Sequence, residues 1–324
     1  MSEWSKFVEI RLVRYDTALA YSGAFCSLPN NARPKLDISH EFGGVTWNWR
    51  GPDMLGIPEQ SLLLVLLELA QEQSNASEHG ARVAAMEDEL YPSNESQRPP
   101  LASINVSFAE LGRRLGRKED GGSASRQIRK ELERLCEVTV WRREVEGKQM
   151  SSRLLAWRRS DSAGVDVVLN WRLAETLFGG QYSPVSLGQR LLLSTDCARA
   201  LHCSLSVYIR PGCSMQFKLD TLATFVWLDD EVADGTRRRR RQAIRDALEQ
   251  LVAVRGWTVK QLPNTPGTVR IVRWSEDWEP KARSRVGTVR AKAGRGPDGH
   301  KDDLSRPPGK PAPNAAVDIS ALCV

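Results

Sequence analysis

Residues 237–251 have the sequence RRRRRQAIRDALEQL, and the architecture of the chain can be built outward from them. The apolar residues recur at the spacing of one helix face, which predicts an amphipathic helix over residues 236–254 with an inner stripe of Ile244, Ala247, Leu248 and Leu251. A basic face on a surface helix is often only solvated. Five consecutive arginines, however, repel one another unless an anion neutralises them, so this stretch favours a polyanionic partner.

The same pattern occurs 116 residues earlier in the chain. At this constant offset the later copy repeats Ile128, Arg129, Leu132, Glu133, Leu135 and Trp141. The earlier helix is predicted to begin at Ser123, with an inner stripe of Ala124, Ile128, Leu132 and Leu135. A basic helix followed by a Trp-bearing strand, present twice, predicts a duplicated DNA-reading unit, because a helix that presents Arg and Lys fits the major groove.

The segments around the two basic helices follow one order. In each half a helix, a short helix, a turn and the basic helix precede a β-hairpin, which is the order of a winged helix-turn-helix. The hairpin strands are predicted at residues 138–145 and 153–157 in the first half, and at 256–262 and 268–273 in the second. A strand over residues 166–171 is expected to open the second half. Another hairpin, at 35–39 and 45–49, is predicted around Gly43 and Gly44.

We therefore predict an α+β fold of tandem winged helix-turn-helix domains, with an N-terminal β-hairpin and a disordered C-terminal tail. The proposed division is 1–53 for the lead-in and hairpin, 54–160 for the first winged-helix domain, 161–279 for the second, and 280–324 for the tail. Pro, Gly, Lys, Arg and Ala dominate the tail, a composition typical of unstructured chain. The polar, acidic stretch 74–103 is predicted to be a loop.

Charge is distributed unevenly along the chain, whose net charge is +6. Residues 105–160 carry fourteen basic and eight acidic residues, and residues 280–324 carry nine and four. Residues 54–104, in contrast, carry two basic and eight acidic residues. Such clustering of basic charge is typical of a protein that binds nucleic acid.

Several classes of protein are disfavoured by the same sequence. The six cysteines and four histidines lack the spacing of a metal site, so we expect neither a metal nor a cofactor. There is no phosphate-binding Gly-rich loop, nucleophile motif or spaced His–carboxylate set, so we expect no catalytic residues and no enzymatic activity. There is also no signal segment and no apolar run long enough to cross a bilayer, which predicts a cytoplasmic protein without a membrane partner.

Three sets of polar side chains are candidates for contact with DNA. On the first basic helix, opposite or beside its apolar stripe, they are Ser123, Arg126, Gln127, Arg129 and Lys130. On the second helix they are Arg238, Arg239, Gln242 and Arg245, together with Arg237 and Arg241, which are in line with the stripe and are expected to pack their stems or contact phosphate. From the predicted wings, backbone contacts are expected from Arg142, Arg143, Lys148, Lys260 and Arg270.

A set of short segments distributed over most of the chain gives a resemblance to a known family. They are RPKLD at 33–37, GPDMLG at 51–56, LERL at 132–135, DTL at 220–222, FVW at 225–227, RRRRQ at 238–242 and GWTV at 256–259. In these segments the chain resembles the replication initiator RepC of IncQ-type plasmids. The resemblance implies a tandem winged-helix protein that binds direct repeats (iterons) in double-stranded DNA at a plasmid origin. It further implies that the protein helps to melt the adjacent AT-rich DNA and loads the replicative helicase of the plasmid.

Two other functions remain open at this point. The same two units could read an operator as a DNA-binding transcriptional repressor, or the basic faces could meet an acidic protein in a partner-binding module. Two reading heads on one chain favour a long asymmetric site over the palindrome that a symmetric dimer reads. We expect a monomer on DNA, and in solution either a monomer or a dimer.

Overall fold

The computed structural model describes residues 11–28, 33–73, 101–117, 122–144, 147, 149–159, 164–228, 232–263 and 265–275. The acidic loop (except for its last residues, 101–103) and the disordered tail 280–324 are predictions that fall outside these ranges. The helices are α1 (Thr17–Tyr21), α2 (Ile57–Gln73), α3 (Phe108–Arg114), α4 (Gly122–Glu137), α5 (Trp171–Phe178), α6 (Leu187–Leu192), α7 (Asp196–Tyr208), α8 (Leu219–Thr224) and α9 (Asp234–Ala253).

The strands comprise two from the N-terminal region, β1 (Leu12–Asp16) and β2 (Phe25–Cys26), and twelve more along the chain. These are β3 (Leu36–Phe42), β4 (Val45–Gly51), β5 (Leu55–Gly56), β6 (Ala102–Ser107), β7 (Thr139–Arg143), β8 (Gln149–Arg153), β9 (Leu155–Arg159), β10 (Gly164–Leu169), β11 (Tyr182–Ser186), β12 (Ser214–Lys218), β13 (Trp257–Gln261) and β14 (Thr268–Arg273). The chain is thus a mixed helix and strand protein, as predicted.

Helix α2 lies at the centre of the molecule. Every residue from Leu62 to Leu67 is fully buried, and the helix packs against β1, β6, α4, α5 and α7. A helix that is apolar all round is stable only inside a protein, which explains this position. Its few charged side chains are consequently paired, and the buried carboxylates of Glu59 and Glu68 each bind two arginines.

Two three-stranded sheets repeat one topology. The first has the order β6-β10-β9 and the second the order β12-β14-β13, with every pairing antiparallel. In both, the strand before the short helix (α3 or α8) pairs with the last strand of the unit. The predicted duplication therefore extends beyond the basic helices to the sheets that support them.

The hairpin predicted after the first basic helix is wrong in its pairing. The predicted strand 153–157 is divided, because β8 ends at Arg153 and β9 begins at Leu155 in a different sheet. Strand β7 pairs with β8, and both join the N-terminal hairpin in a four-stranded sheet of order β3-β4-β7-β8. The hairpin around Gly43 and Gly44 forms as predicted, but it is an integral part of the first half rather than a separate lead-in.

The predicted boundary at residue 160 also requires correction. Strand β10, expected to open the second half, pairs with β6 and β9 and completes the first. Strands β1 and β11 then pair across the two halves, with Val13 opposite Val185. The boundary at residue 279 lies outside the described residues.

Two apolar cores correspond to the two halves. The larger core surrounds α2 and includes Ile128, Leu132 and Leu135 of α4. The smaller core lies among α7, α8, α9 and the second three-stranded sheet, and Ile57, the first residue of α2, belongs to it. One helix thus contributes to both cores. Within the described ranges, no helix combines the length and the apolar character needed to span a membrane.

Candidate nucleic-acid interface

The first basic helix, α4, is fixed by its inner stripe. Ile128, Leu132 and Leu135 are fully buried, whereas Ala124 is only half-buried because it lies in the first turn of the helix. Glu131 is buried as well, and both of its carboxylate oxygens accept from Nη2 of Arg117, at 2.8 and 2.7 Å. These contacts fix the rotation of α4, so its opposite side faces solvent.

All five candidates on α4 are exposed, as predicted. They are Ser123, Arg126, Gln127, Arg129 and Lys130. Three of them are oriented by neighbours. Arg126 donates from Nε to the Gly122 carbonyl (3.0 Å), Gln127 donates to Glu131 (3.1 Å), and the Arg129 guanidinium lies 5.7 Å from the centre of the Phe108 ring. The helix therefore presents a basic face of partly ordered side chains to solvent.

The second basic helix, α9, also packs against the protein through a buried apolar stripe. Its inner stripe of Ile244, Ala247, Leu248 and Leu251 is buried as predicted. On the other side Arg237, Arg238, Arg239, Gln242 and Arg245 are exposed. Gln242 donates to Asp246 (2.7 Å), and Arg237 lies 3.6 Å from Asp234. Within the described part of the chain, Arg238 and Arg239 form no hydrogen bond or ion pair.

The five consecutive arginines at the start of α9 differ in their surroundings. Arg241 forms a bidentate ion pair with Asp220 of α8, with Nε–Oδ1 and Nη2–Oδ2 distances of 2.6 Å. The hydrogen bonds from Arg241 lower the pKa of the Asp220 carboxyl. The guanidinium of Arg240 lies 5.1 Å from the centre of the Trp227 ring. Asp220 and Trp227 were not predicted as site residues, although both belong to segments singled out in the sequence.

The second sheet adds a basic surface beside α9. Lys260 and Arg270 are exposed and directly opposite each other on β13 and β14, and Gln216 of β12 continues the row. Like charges at opposed positions destabilise a sheet unless an anion lies between them. The structure therefore brings together the two wing residues predicted for this half, and it adds Gln216 and Lys218, which the sequence analysis missed.

The residues predicted for the first wing lie elsewhere than expected. Because β7 belongs to the four-stranded sheet, Arg143 is exposed on the outer face of that sheet, away from the hairpin equivalent to β13–β14. Arg142 points to the inner face, where its guanidinium lies 5.9 Å from Trp47 and 5.7 Å from Trp171. Arg142 also pairs with Glu144 (2.8 Å) and its side chain is 32% exposed, so its phosphate contact stays a prediction. Lys148 lies outside the described residues.

A polar cleft adjoins α4, and most of its residues were not predicted. Arg33, Asp53 and Arg134 line it together with Gln127 and Lys130, in a volume of about 520 Å³. The three come from positions far apart in the sequence, so no local pattern links them. Only the three short segments RPKLD, GPDMLG and LERL pointed to this region.

Other chemistry-bearing groups are part of the packing. Among the described residues no three His, Cys, Asp or Glu side chains cluster as a metal site. Burial raises the pKa of Cys197 to about 12 and that of Cys203 to about 11, so neither thiol ionises readily. His202 is fully buried, shares a hydrogen bond with Gln189 (3.1 Å), and lies at the edge of the Trp257 ring.

Comparison with known proteins gives a family and a fold. The family described as replication protein C (RepC) matches residues 8–271. No curated protein sequence matches the chain. Two crystal structures of domains 2 and 3 of RctB are similar in fold, each with a TM-score of 0.51; their sequence identities are 14% and 12%. They cover 79% of this chain and 97% or 96% of their own.

A third solved structure is that of the Pi initiator protein in complex with iteron DNA. It has a TM-score of 0.48 and 11% identity, and it covers 82% of this chain and 98% of its own. At identities this low, the likeness to RctB concerns the fold alone.

Proposed function

The chain belongs to the replication protein C (RepC) family, and on that premise we propose that it is a plasmid replication initiator which binds direct repeats (iterons) in double-stranded DNA at the origin. The observation that carries the proposal is the pair of basic helices, α4 and α9. Each buries its apolar stripe beside one of two three-stranded sheets that share a strand order, and turns Arg and Gln side chains to solvent. Two reading helices on one chain suit a repeat that spans successive major grooves.

In this proposal each half acts as a winged helix-turn-helix. Helices α3 and α4 would be the helix-turn-helix pair of the first half, and α8 and α9 that of the second. By topology, the wings would be the β9–β10 and β13–β14 hairpins. The similar sheet orders, and the short helix that precedes each basic helix, support this assignment.

The side chains divide into base-reading and phosphate-binding groups. Arg126 on α4, and Arg239 and Gln242 on α9, lie opposite the apolar stripes and would reach base edges, since Arg pairs with guanine and Gln with adenine. Phosphate contacts are proposed for the other predicted residues, Ser123, Gln127, Arg129, Lys130, Arg142, Arg143, Arg237, Arg238, Arg241, Arg245, Lys260 and Arg270.

The proposed initiator opens DNA with binding energy and has no enzymatic activity of its own. Two DNA-bound halves that bend or untwist the repeats would strain the adjacent AT-rich DNA, which takes little energy to deform. The replicative helicase of the plasmid would then be loaded there and would perform the ATP-driven work. With supercoiled plasmid, we expect permanganate-reactive thymines beside the repeats without added ATP; an absolute ATP requirement or nicked DNA would contradict this mechanism.

A footprint on the encoding plasmid tests the proposed binding site. We expect the purified full chain to protect an array of direct repeats, each of roughly two helical turns, as a monomer per repeat. A matched fragment in which the repeats are scrambled is the control. Protection of one palindrome at a promoter, with no protected array, would indicate a transcriptional repressor instead.

A further inference from the structure

The cleft beside α4 is built from three separate parts of the chain. Arg33 precedes β3, Asp53 lies in the connection between β4 and β5, and Arg134 follows Gln127 and Lys130 along α4. All five side chains that line it are polar or charged, and its volume of about 520 Å³ is larger than a single water site needs. Its lining and size suit a polar ligand.

Two of the cations are held in place by a buried carboxylate. Glu59 is fully buried and accepts from Nη1 of Arg134 at 2.8 Å, and it lies 3.0 Å from Nη2 of Arg33. The Gly56 backbone N–H also donates to Glu59 at 2.9 Å, an approach that a Cβ at Gly56 would obstruct. The Arg33 guanidinium is fixed further by the Met54 carbonyl (2.9 Å). Both guanidiniums are thus ordered before any ligand arrives.

The charge of the cleft favours an anion. Arg33, Arg134 and Lys130 face two carboxylates, and one of these, Glu59, is fully buried beneath the guanidiniums. Asp53 lies 3.6 Å from Nε of Arg134 and its side chain is 40% exposed, so water partly screens it. Lys130 forms no ion pair within the described part of the chain. The side of the cleft open to solvent therefore presents more cationic groups than carboxylates.

The cations that α4 contributes to this cleft are not repeated on α9. At the same offset of 116 residues, Lys130 corresponds to Asp246 and Arg134 to Gln250. Gln250 accepts from the backbone N–H of Ser194 at 2.9 Å, so it joins α9 to the start of α7 with a neutral contact. Neither Lys130 nor Arg134 therefore has a cationic counterpart at the equivalent position of α9.

We propose that this cleft binds one backbone phosphate of the DNA on which α4 docks. The inference rests on the proposed function. Arg134 and Lys130 would donate to the phosphate oxygens, with Arg33 at the far wall, and planar guanidiniums suit that bidentate geometry. Lys130 and Gln127 belong to the exposed face of α4, so a strand whose bases α4 reads passes beside the cleft. The phosphate would fix the register of the first half on each repeat.

Asp53 supplies the sharpest test, because its removal should strengthen binding. We expect Asp53→Asn to raise the affinity for the repeat roughly two- to fivefold, the scale of a partly exposed charge pair. Glu175→Gln is the matched control: Glu175 is 52% exposed, lies 3.2 Å from Arg172, and is far along the chain in α5. Fluorescence anisotropy titrations over a range of salt concentrations measure both variants.

The companion variant is Lys130→Gln, an exposed change that should leave the fold intact. We expect about a tenfold loss of affinity on cognate and scrambled DNA alike, and a salt slope smaller by about 0.9. Methylphosphonate substitution along the repeat should reveal one phosphate whose neutralisation weakens the unchanged protein but not Lys130→Gln. Thermal unfolding checks that each variant is folded.

The outcomes distinguish a failure of the proposed phosphate site from a failure of the proposed function. If Asp53→Asn and Glu175→Gln behave alike and no single phosphate depends on Lys130, the cleft does not bind DNA, while a normal footprint would leave the proposed initiator intact. If the unchanged protein does not bind the repeats, the proposed function itself is overturned.

Discussion

Neighbouring arginines at the start of α9 have different partners, and this difference predicts different roles. Arg241 donates to Asp220 through two nitrogens on one edge of its guanidinium, and Arg240 lies over Trp227. Such contacts fix a side chain near the backbone of a docked DNA, where a positioned charge binds phosphate. Arg239 has no ion pair in the described part of the chain, so its guanidinium can extend toward base edges.

We therefore expect Arg239→Ala and Gln242→Ala to relax sequence preference. Each should cost roughly 1–3 kcal/mol on the cognate repeat if the contact with the base is bidentate. Competition titrations with cognate and scrambled DNA measure the effect, and Arg255→Ala, an exposed arginine beyond α9, is the control. An equal loss on both DNAs would assign Arg239 and Gln242 to phosphate instead.

His202 predicts a pH dependence of stability. Burial lowers the pKa of this imidazole well below 6.5, with further lowering by Arg190 and Arg273. Below about pH 6.5 the imidazole is therefore protonated in the unfolded chain but stays neutral in the folded chain. The stability that this difference contributes is present above about pH 6.5 and is lost as the pH falls below it. The free energy of unfolding then falls with a slope approaching 1.4 kcal/mol per pH unit. Urea unfolding between pH 5 and 7.5 should show this slope, and His202→Leu should flatten it. An unchanged slope in that variant would exclude His202 as its origin.

At the scale of elements, an ion-pair network joins α2 to α3. Arg114 of α3 binds Glu72 (2.7 Å) and Glu68 (2.9 Å) of α2, as well as Glu110 of its own helix. Hydrogen bonds from Arg114 lower the pKa of Glu72 and Glu110. Lowered carboxyl pKa values give stability that is present above about pH 4.5 and is lost as the pH falls through them.

Arg114→Met should therefore lower the melting temperature at neutral pH and make the acid loss of stability shallower. Calorimetric melting from pH 3 to pH 7 measures both effects, and Arg113→Met, which removes an exposed pair with Glu110 only, is the control. A variant that keeps the acid slope of the unchanged protein would show that the network does not determine it.

The positions of the basic helices could be predicted from the sequence, whereas the pairing of several strands could not. Periodic apolar residues are a local signal, and they located the two basic helices, α4 and α9. Strand pairing is not local: nothing around Arg153 specifies that β8 and β9 enter different sheets, or that β10 returns to β6. The surroundings of Arg142 could not be predicted for the same reason, because the face on which it lies depends on the partners of β7.

The residues of the candidate site likewise divide into those that local sequence patterns predict and those that only the packing brings together. Exposure of the DNA-facing residues on α4 and α9 could be predicted from a helical wheel. The cleft could not, since Arg33, Asp53 and Arg134 meet only after β4, β5 and α4 have packed together. Glu59, the buried carboxylate that holds Arg33 and Arg134, lies in the first turn of α2 and gives no binding signal in the sequence.

At the scale of the whole molecule, several contacts join the two halves. Strand β1 pairs with β11, Ile57 at the start of α2 enters the second core, and Arg190 of α6 is fully buried between α2 and α7. The Arg190 guanidinium donates to Gln60 (2.9 Å) and to the Arg199 carbonyl (2.8 Å). A buried cation held by such bonds is costly to displace, so the two basic helices have a fixed separation and orientation.

A fixed separation predicts sensitivity to the spacing within each repeat. Inserting five base pairs between the parts read by α4 and α9 turns one part by about half a helical turn, and the two helices can no longer dock together. We expect the affinity to fall to that of a single half, measured as the affinity for a repeat with one part scrambled. The same five base pairs inserted outside the repeat should have no effect. Full affinity with the internal insertion would mean that the halves move independently, and that Arg190 and the β1–β11 pair do not hold them together on DNA.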